Sequence, residues 1–456
     1  MFDKSRSPDT DFMPTLSFPT ILRARPDKGK HPSLRFAAPA GRWLATVAVA
    51  AAVAVPAGKT SAIEEPRAFS NPDTASESIK VFWPVPSRVE WKNSAEAAVL
   101  RALEWLRLNQ SPDGAWSNSE KPADRVACAS LGLLAFLANG DTTTSEKYGE
   151  TVTRALKFLL ARQNEKGEFV STGDWAGTCT QAMAVYAVGE AYGMMRIPAL
   201  RPAMERGLQV LIDGQHDRGG FADGFAGSKF GDANDTEERH RLPRDRRDTL
   251  ISAWCCQAMK AARAAGASNP GLAEAMEKAA ADLLRASCPD EGSFFSGGTI
   301  DEPGGKRDFN STAMAVFALQ LLGHGRDNEV RQGLQYLQES GCDWDKPGEW
   351  PMQGWYFITK AKYFAGGTAW TKWWNAEFTP QFVHHQTRNE NPAENGSWVS
   401  PDTSLREGHE GREDFGRAYA TALAALTLQN HWRRSYRLLE DGALPEDGED
   451  IEISIF

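Results

Sequence analysis

The sequence predicts an all-α domain of six helix pairs set in two concentric rings. Three observations predict it. The first is an internal repeat: Arg101-Ala-Leu-Glu-Trp-Leu-Arg-Leu-Asn-Gln110 is matched by Arg154-Ala-Leu-Lys-Phe-Leu-Leu-Ala-Arg-Gln163 and by Arg206-Gly-Leu-Gln-Val-Leu-Ile-Asp-Gly-Gln215. In each copy a glycine follows the glutamine by four residues and an aromatic by six: Gly114 and Trp116, Gly167 and Phe169, Gly219 and Phe221. The second is periodicity. The first helix of each repeat carries apolar residues at i, i+3, i+4 and i+7, whereas the second is apolar almost all round. An amphipathic helix keeps one face wet and an apolar one seeks full burial, so the second helices form an inner ring and the first an outer ring. The third is that no alternating, strand-like pattern competes along the repeats.

In chain order, residues 1–42 are polar and basic, and Trp43–Ala57 is a short Ala/Val run ending in small residues. A basic flank, an apolar stretch too short to span a bilayer and a small-residue site predict an export leader over 1–62, so the expected location is the periplasm or cell envelope. An uncleaved N-terminal anchor is the other reading of the same stretch. Residues 63–92 read as a Pro/Ser-rich linker, 93–436 as the helical domain, and 437–456 as an acidic, solvated tail.

Within the domain, a fourth repeat has Cys288 in place of the glutamine, then Gly292 and Phe294 in register. The fifth is looser, with Gly333-Leu-Gln-Tyr-Leu337 and later Gly348 and Trp350; the sixth has Gln386, an insertion, then Gly396 and Trp398. The inner helices are expected at Cys128–Asn139, Thr178–Tyr192, Thr249–Ala264, Ser311–Leu322, Trp355–Ala365 and Tyr419–Gln429. Each repeat glycine is expected to supply a turn closed to other residues. Each aromatic should pack on the helix just left, and each glutamine should satisfy backbone groups left free at a helix end.

Composition bounds the function. The chain has 456 residues, 41% hydrophobic and 24% charged, which excludes a collagen-like fibre, a wholly disordered chain and a polytopic membrane protein. A net charge of −9 makes nucleic acid a poor partner. Outside the cytosol the six cysteines could form disulfides, but four of them sit in apolar helical runs where a buried thiol is the simpler reading.

With these motifs in place, the chain resembles a known family. Gln followed by Gly-x-Trp/Phe after a helix with an aromatic-Leu step is similar to the repeat of squalene and oxidosqualene cyclases. Their (α/α)6 toroid is also that of protein prenyltransferase β subunits. The segments from Trp355-Tyr-Phe to Gly366-Gly-Thr-Ala-Trp370, and Gly416-Arg-Ala-Tyr-Ala-Thr-Ala-Leu423, resemble bacterial prenyltransferase/squalene-oxidase-repeat proteins. The resemblance implies a toroid holding an apolar, isoprenoid small molecule in its central cavity, with terpenoid cyclase-like chemistry if it is active.

Family cyclases protonate an alkene with the middle Asp of Asp-x-Asp-Asp. Here Asp308-Phe-Asn-Ser-Thr-Ala holds the matching place, with Asn310 where the proton donor belongs. The third repeat has an echo, Asp245-Arg-Arg-Asp248-Thr249, with Arg247 at the donor position. Asp308 and Asp248 are the candidate acids, and the competing reading of both is helix N-capping. No cofactor is expected. Cys342, Asp343 and Asp345 have no convincing His to complete a prenyltransferase-type zinc site, so no metal is expected either.

By repeat register the mouth of the ring lies where the inner helices begin. Trp175, Arg247, Asn310, Trp355, Tyr356, Arg417 and Tyr419 are the candidate ligand-binding residues. Two long, charged loops, Asp217–Arg247 and Thr387–Asp414, are expected to cover that mouth. The alternative function is a non-catalytic, exported binding or scaffold protein on the same fold. Its partner would then be another envelope protein, with peripheral membrane contact.

Overall fold

The computed structural model describes residues 88–117, 119–171, 176–225, 246–401 and 412–430. The chain divides into residues 1–80 and 81–456, and every described residue belongs to the second unit. The leader, most of the linker and the acidic tail therefore lie outside the described residues.

The elements run α1 (Arg88–Leu108), α2 (Pro122–Ala138), α3 (Gly149–Arg162), α4 (Gly177–Met195), α5 (Leu200–Gly214), α6 (Thr249–Ala264), α7 (Leu272–Arg285), β1 (Ser287–Cys288), β2 (Ser293–Gly298), β3 (Pro303–Arg307), α8 (Phe309–Leu321), α9 (Asn328–Tyr336), α10 (Pro351–Ala365), α11 (Gly367–Trp373), α12 (Thr379–His384) and α13 (Arg412–Gln429). Helices α2, α4, α6, α8, α10 and α13 pack side by side in that order, and α13 returns to α2, which closes the inner ring. The Leu, Ala and Val residues of α2 and α4 are buried almost without break, while α3, α5 and α7 bury one face only. The fold is the (α/α)6 toroid that the two helix types dictate.

The repeat residues fasten one pair to the next. Gln110 donates its side-chain amide to Gly114 O (3.1 Å) and to Thr151 O of the following outer helix (3.0 Å). Gln163 does the same toward Gly167 and Ala203, and Gln215 toward Gly219 and Ala275. The expected capping role is thus an inter-repeat link as well. The six repeat glycines all have positive φ. At Gly219 (φ 106°) a Cβ would also overlap the carbonyl of Lys278, so the turn needs both the left-handed backbone and the close approach that only glycine permits. Gly348 is different: nothing lies near its missing side chain.

The structure departs from the sequence reading in one element. A three-stranded antiparallel sheet, in the order β1-β2-β3, sits between α7 and α8. It pairs Phe295 with Arg307 and Gly297 with Gly304 around a register shift. Its strands are short and glycine-rich, so no period-2 pattern exists to be read. None of the six cysteines is joined in a disulfide. No described helix is long and apolar enough to cross a membrane.

Candidate functional site: two carboxyl groups at the mouth of the ring

The inner helices begin at one end of the ring, and the chemistry gathers there. The segment Arg246–Asp248 is held on two sides. Arg246 bridges to Thr299 of the β2–β3 turn, Arg247 N donates to Gly298 O (3.1 Å), and Asp248 N donates to Phe221 O (2.7 Å). That last bond sets Asp248 beside the chain that continues from Phe221 into a short 3-10 turn, Asp223–Phe225. Asp248 caps α6, its carboxylate accepting from Ile251 N (3.0 Å). Asp223 accepts from the backbone N–H of Ala176, the residue that precedes α4. Its Oδ1 is sealed from solvent and has no hydrogen-bond partner among the described residues.

Burial raises the Asp223 carboxyl to about 6, and the charge of Asp248 adds to the rise; Arg246 and the Ala176 N–H oppose it. Asp248 is also raised, chiefly by burial, against the pull of the Ile251 and Leu250 N–H groups. Both partly buried carboxyl groups are thus raised, and a carboxyl near 6, as at Asp223, has the property a general acid needs. Cys179, one turn into α4, is pushed well up by burial and by the same two carboxylates. It stays a thiol and is no nucleophile.

Tyr419 completes this layer from α13. Burial is the main cause of its raised phenol, which is hydrogen-bonded to Gln353 of α10. Gln353 also accepts from Trp254 Nε1 (3.5 Å). Below it the axis is filled: Trp254 stacks on Tyr356 at 5.5 Å and 9°, and Tyr356 donates its hydroxyl to Gln257 (2.8 Å). Beneath that pair, beside Gln257, Lys260, Phe317 and Lys360, the described residues leave a void of about 10 Å³, room for one water. A broader hollow of about 550 Å³ lies on the outer wall by Pro380, Val383 and His384, away from both carboxyl groups; its Gln386 is committed to the ring fastening.

The residues singled out from the sequence are distributed as follows. Asp248 stands in the mouth. Asp308 caps α8 in a reciprocal box with Ser311, with Asp308 Oδ1 accepting from Ser311 N (2.8 Å). Both are N-caps, as the competing reading had it. Arg247 turns away from the mouth into a fully buried ion pair with Asp282 (2.9 Å), which neutralises the guanidinium at that depth. Asn310 donates to Glu349 O (2.9 Å), tying the start of α8 to that of α10. Trp355 lies between the rings, against Trp344 and Phe382. Tyr356 and Tyr419 line the axis, and Arg417 donates to Ser397 (3.0 Å). Trp175 lies outside the described residues, as do parts of both long mouth loops. No group of three potential metal ligands is present among the described residues.

Asp223 and Gln353 were missed. A signal for Asp223 was present: the position four after each repeat glycine holds Asn118, Ser171, Asp223, Ser296, Met352 and Ser400, and Asp223 alone is ionisable.

Fold and mouth together define the class: a single (α/α)6 toroid with two partly buried carboxyl groups, the α6 N-cap Asp248 and Asp223 of the neighbouring turn, at its mouth. Solved toroids superpose on it over their whole length. Cellobiose 2-epimerase from Spirochaeta thermophila matches at TM-score 0.53 and 15% identity, covering 76% of this chain and 98% of its own. The α-1,6-mannanase GH76A from Salegentibacter sp. HEL1_6 matches at TM-score 0.50 and 11% identity, covering 75% and 98%. Type II terpene cyclase MstE from Scytonema, solved with geranylgeranyl dihydroxybenzoate, matches at TM-score 0.43 and 16% identity, covering 75% and 99%. Identities this low speak to the fold alone, and the third score carries no argument. No family profile matches the sequence, and no curated protein does.

Proposed function

We propose that this toroid is an acid–base enzyme that works at its mouth, with Asp223 as the proton donor. The observation that carries the reading is the Asp223 carboxyl raised to about 6 with one oxygen sealed from solvent and without a hydrogen-bond partner among the described residues. The charge of ionised Asp248 favours the protonated form of Asp223, and after Asp223 gives its proton to the substrate the Asp248 carboxylate accepts a different proton that the substrate releases. The ligand sits above the Trp254–Tyr356 stack, among Asp223, Asp248, Gln353 and Tyr419. Hydrogen-bonding groups of this kind suit a hydroxylated substrate.

A second reading keeps the same acid and takes an isoprenoid ligand, as the repeat resemblance implies. The aromatic layer of Trp254, Tyr356 and Tyr419 favours it, since such rings stabilise cationic intermediates. Those rings already pack on one another, so an apolar chain must displace them. We rank it second for that reason.

The test offers the purified protein cellobiose, α-1,6-mannotriose, squalene and prenyl diphosphates, and follows product formation. Turnover of a sugar that falls at least a hundredfold in Asp223→Asn supports the first reading. Turnover of a prenyl substrate with the same loss supports the second. Turnover that Asp223→Asn leaves intact overturns both, and no turnover at all favours the non-catalytic binding protein. Export to the envelope belongs to this proposal too. N-terminal sequencing of protein from the envelope checks it, with a mature start near residues 57–62 as the expected result.

A further inference from the structure

The void below the Trp254–Tyr356 stack has a one-sided polar lining. Phe317, Leu321 and Phe364 give it apolar wall, while Gln257, Lys260 and Lys360 bring nitrogen donors to it. No carboxylate lines it among the described residues. Gln257 is 2% exposed. Its Oε1 accepts from the Tyr356 hydroxyl (2.8 Å), and its Nε2 is sealed from solvent with no hydrogen-bond partner among the described residues. A buried N–H left so is costly, and the void that Gln257 lines is where a partner fits. Lys260 follows three residues on along α6. Burial lowers its ammonium, and the charge of Arg263 lowers it further, with no carboxylate opposing the fall. From α10, Lys360 brings a second ammonium, 5.1 Å from the centre of the Tyr356 ring and 5.6 Å from that of Phe317.

We propose that this void is a binding site for one small monovalent anion of halide size, held by Gln257 Nε2 and Lys260 Nζ with the charge of Lys360 beside it. A water also fits the space. Water donates as well as accepts, however, and apart from the Tyr186 hydroxyl the lining offers only donors and carbon. An anion only accepts, and it neutralises positive charge that burial leaves uncompensated. The volume of about 10 Å³ sets the size, since sulfate, phosphate and carboxylates are too large for it. The bound ion fixes the Gln257 amide, and through it the Tyr356 hydroxyl beneath the axial stack. The site is separate from Asp223 and Asp248 and does not depend on the chemistry at the mouth.

The experiment pairs crystallography with thermal melting, both on the full chain. Crystals grown in sodium bromide are measured at the bromine edge. The expected result is an anomalous peak within hydrogen-bond reach of Gln257 Nε2 and Lys260 Nζ. A void that is empty or holds only water in those crystals overturns the proposal. In solution, replacing about 0.2 M sodium gluconate by sodium chloride should raise the melting temperature by at least about 1 °C at constant ionic strength. A peak in the crystal without chloride dependence in solution is binding at crystal concentration only, and also overturns it. Lys260→Met keeps the side chain's length and removes its charge, so it should abolish both the peak and the chloride dependence. Gln257→Glu sets a carboxylate against Lys260. It should abolish the dependence too, while melting at or above the wild-type temperature in gluconate. Chloride dependence that both variants retain places the ion elsewhere and overturns the proposal. The wild-type bromide map decides even where a variant fails to fold.

Discussion

Gln386 of the sixth repeat donates its side-chain amide to the carbonyl of Ala98 in the first, at 2.8 Å, and to Gly396 in its own turn, at 2.8 Å. Residues 288 positions apart are joined by the same bond that fastens neighbouring repeats. The ring is therefore closed by the repeat motif itself. Gln386→Ala removes these two buried hydrogen bonds and a third, which Gln386 Oε1 accepts from Arg101 Nε (2.9 Å). It should cost about 2–4 kcal/mol in urea unfolding, against less than about 0.5 for the exposed Gln338→Ala. Equal effects of the two would show that the first and last repeats are not held this way.

The turn glycines are not equivalent. Gly219→Ala meets both a left-handed backbone and the Lys278 carbonyl, whereas Gly348→Ala meets only the backbone. The left-handed conformation alone costs about 1–2 kcal/mol, so Gly348→Ala should lose about that much and Gly219→Ala at least twice as much. Thermal melts of the two variants side by side decide it.

These two positions also show how much was legible. Gly219, Gln215 and Phe221 could be read because every repeat needs the same turn, the same link and the same core aromatic. The inner helix Thr249–Ala264 was read to the residue for the same reason. What repetition does not impose stayed hidden. Among the described residues the hairpin Ser293–Arg307 occurs in one repeat only, and its glycines carry no pattern. Asp223 differs from its counterparts in charge, not in position, so a search for likeness passes over it. Trp350 matches its counterparts in sequence and departs from them in burial, which no motif reveals. Arg247 was placed at the mouth by register, yet Asp282 on α7 draws it into the wall.

The Arg247–Asp282 pair is fully enclosed, with Arg285 as a second partner of Asp282 at 3.2 Å. Asp282→Asn strands a buried guanidinium and should cost about 3–5 kcal/mol. Replacing both, as Arg247→Met with Asp282→Leu, should recover most of that loss. A double-mutant cycle in denaturant measures the coupling, and strictly additive losses would contradict the pairing.

Stability should carry the mark of the enclosed carboxyl groups. Asp223 is raised from 3.8 to about 6, so the folded state binds its proton more tightly than the unfolded chain does. The stabilisation this gives is complete below about pH 4 and is lost as pH rises through 6. Asp223→Asn should remove a fall on the order of 2–3 kcal/mol between pH 4 and 7, leaving the slope due to Asp248, which is raised in the same direction. Unfolding free energies across that range check the sign: a wild-type protein that gains stability with rising pH there would refute the assignment.

The central claim is that the Asp223 carboxyl is raised to about 6, well above an ordinary aspartate. Carbon-13 NMR of aspartate-labelled protein titrates the carboxyl groups directly, with Asp223→Asn assigning the signal. The account predicts one carboxyl titrating close to pH 6 that vanishes in the variant. An Asp223 signal that titrates near 4, like an ordinary surface aspartate, would contradict it.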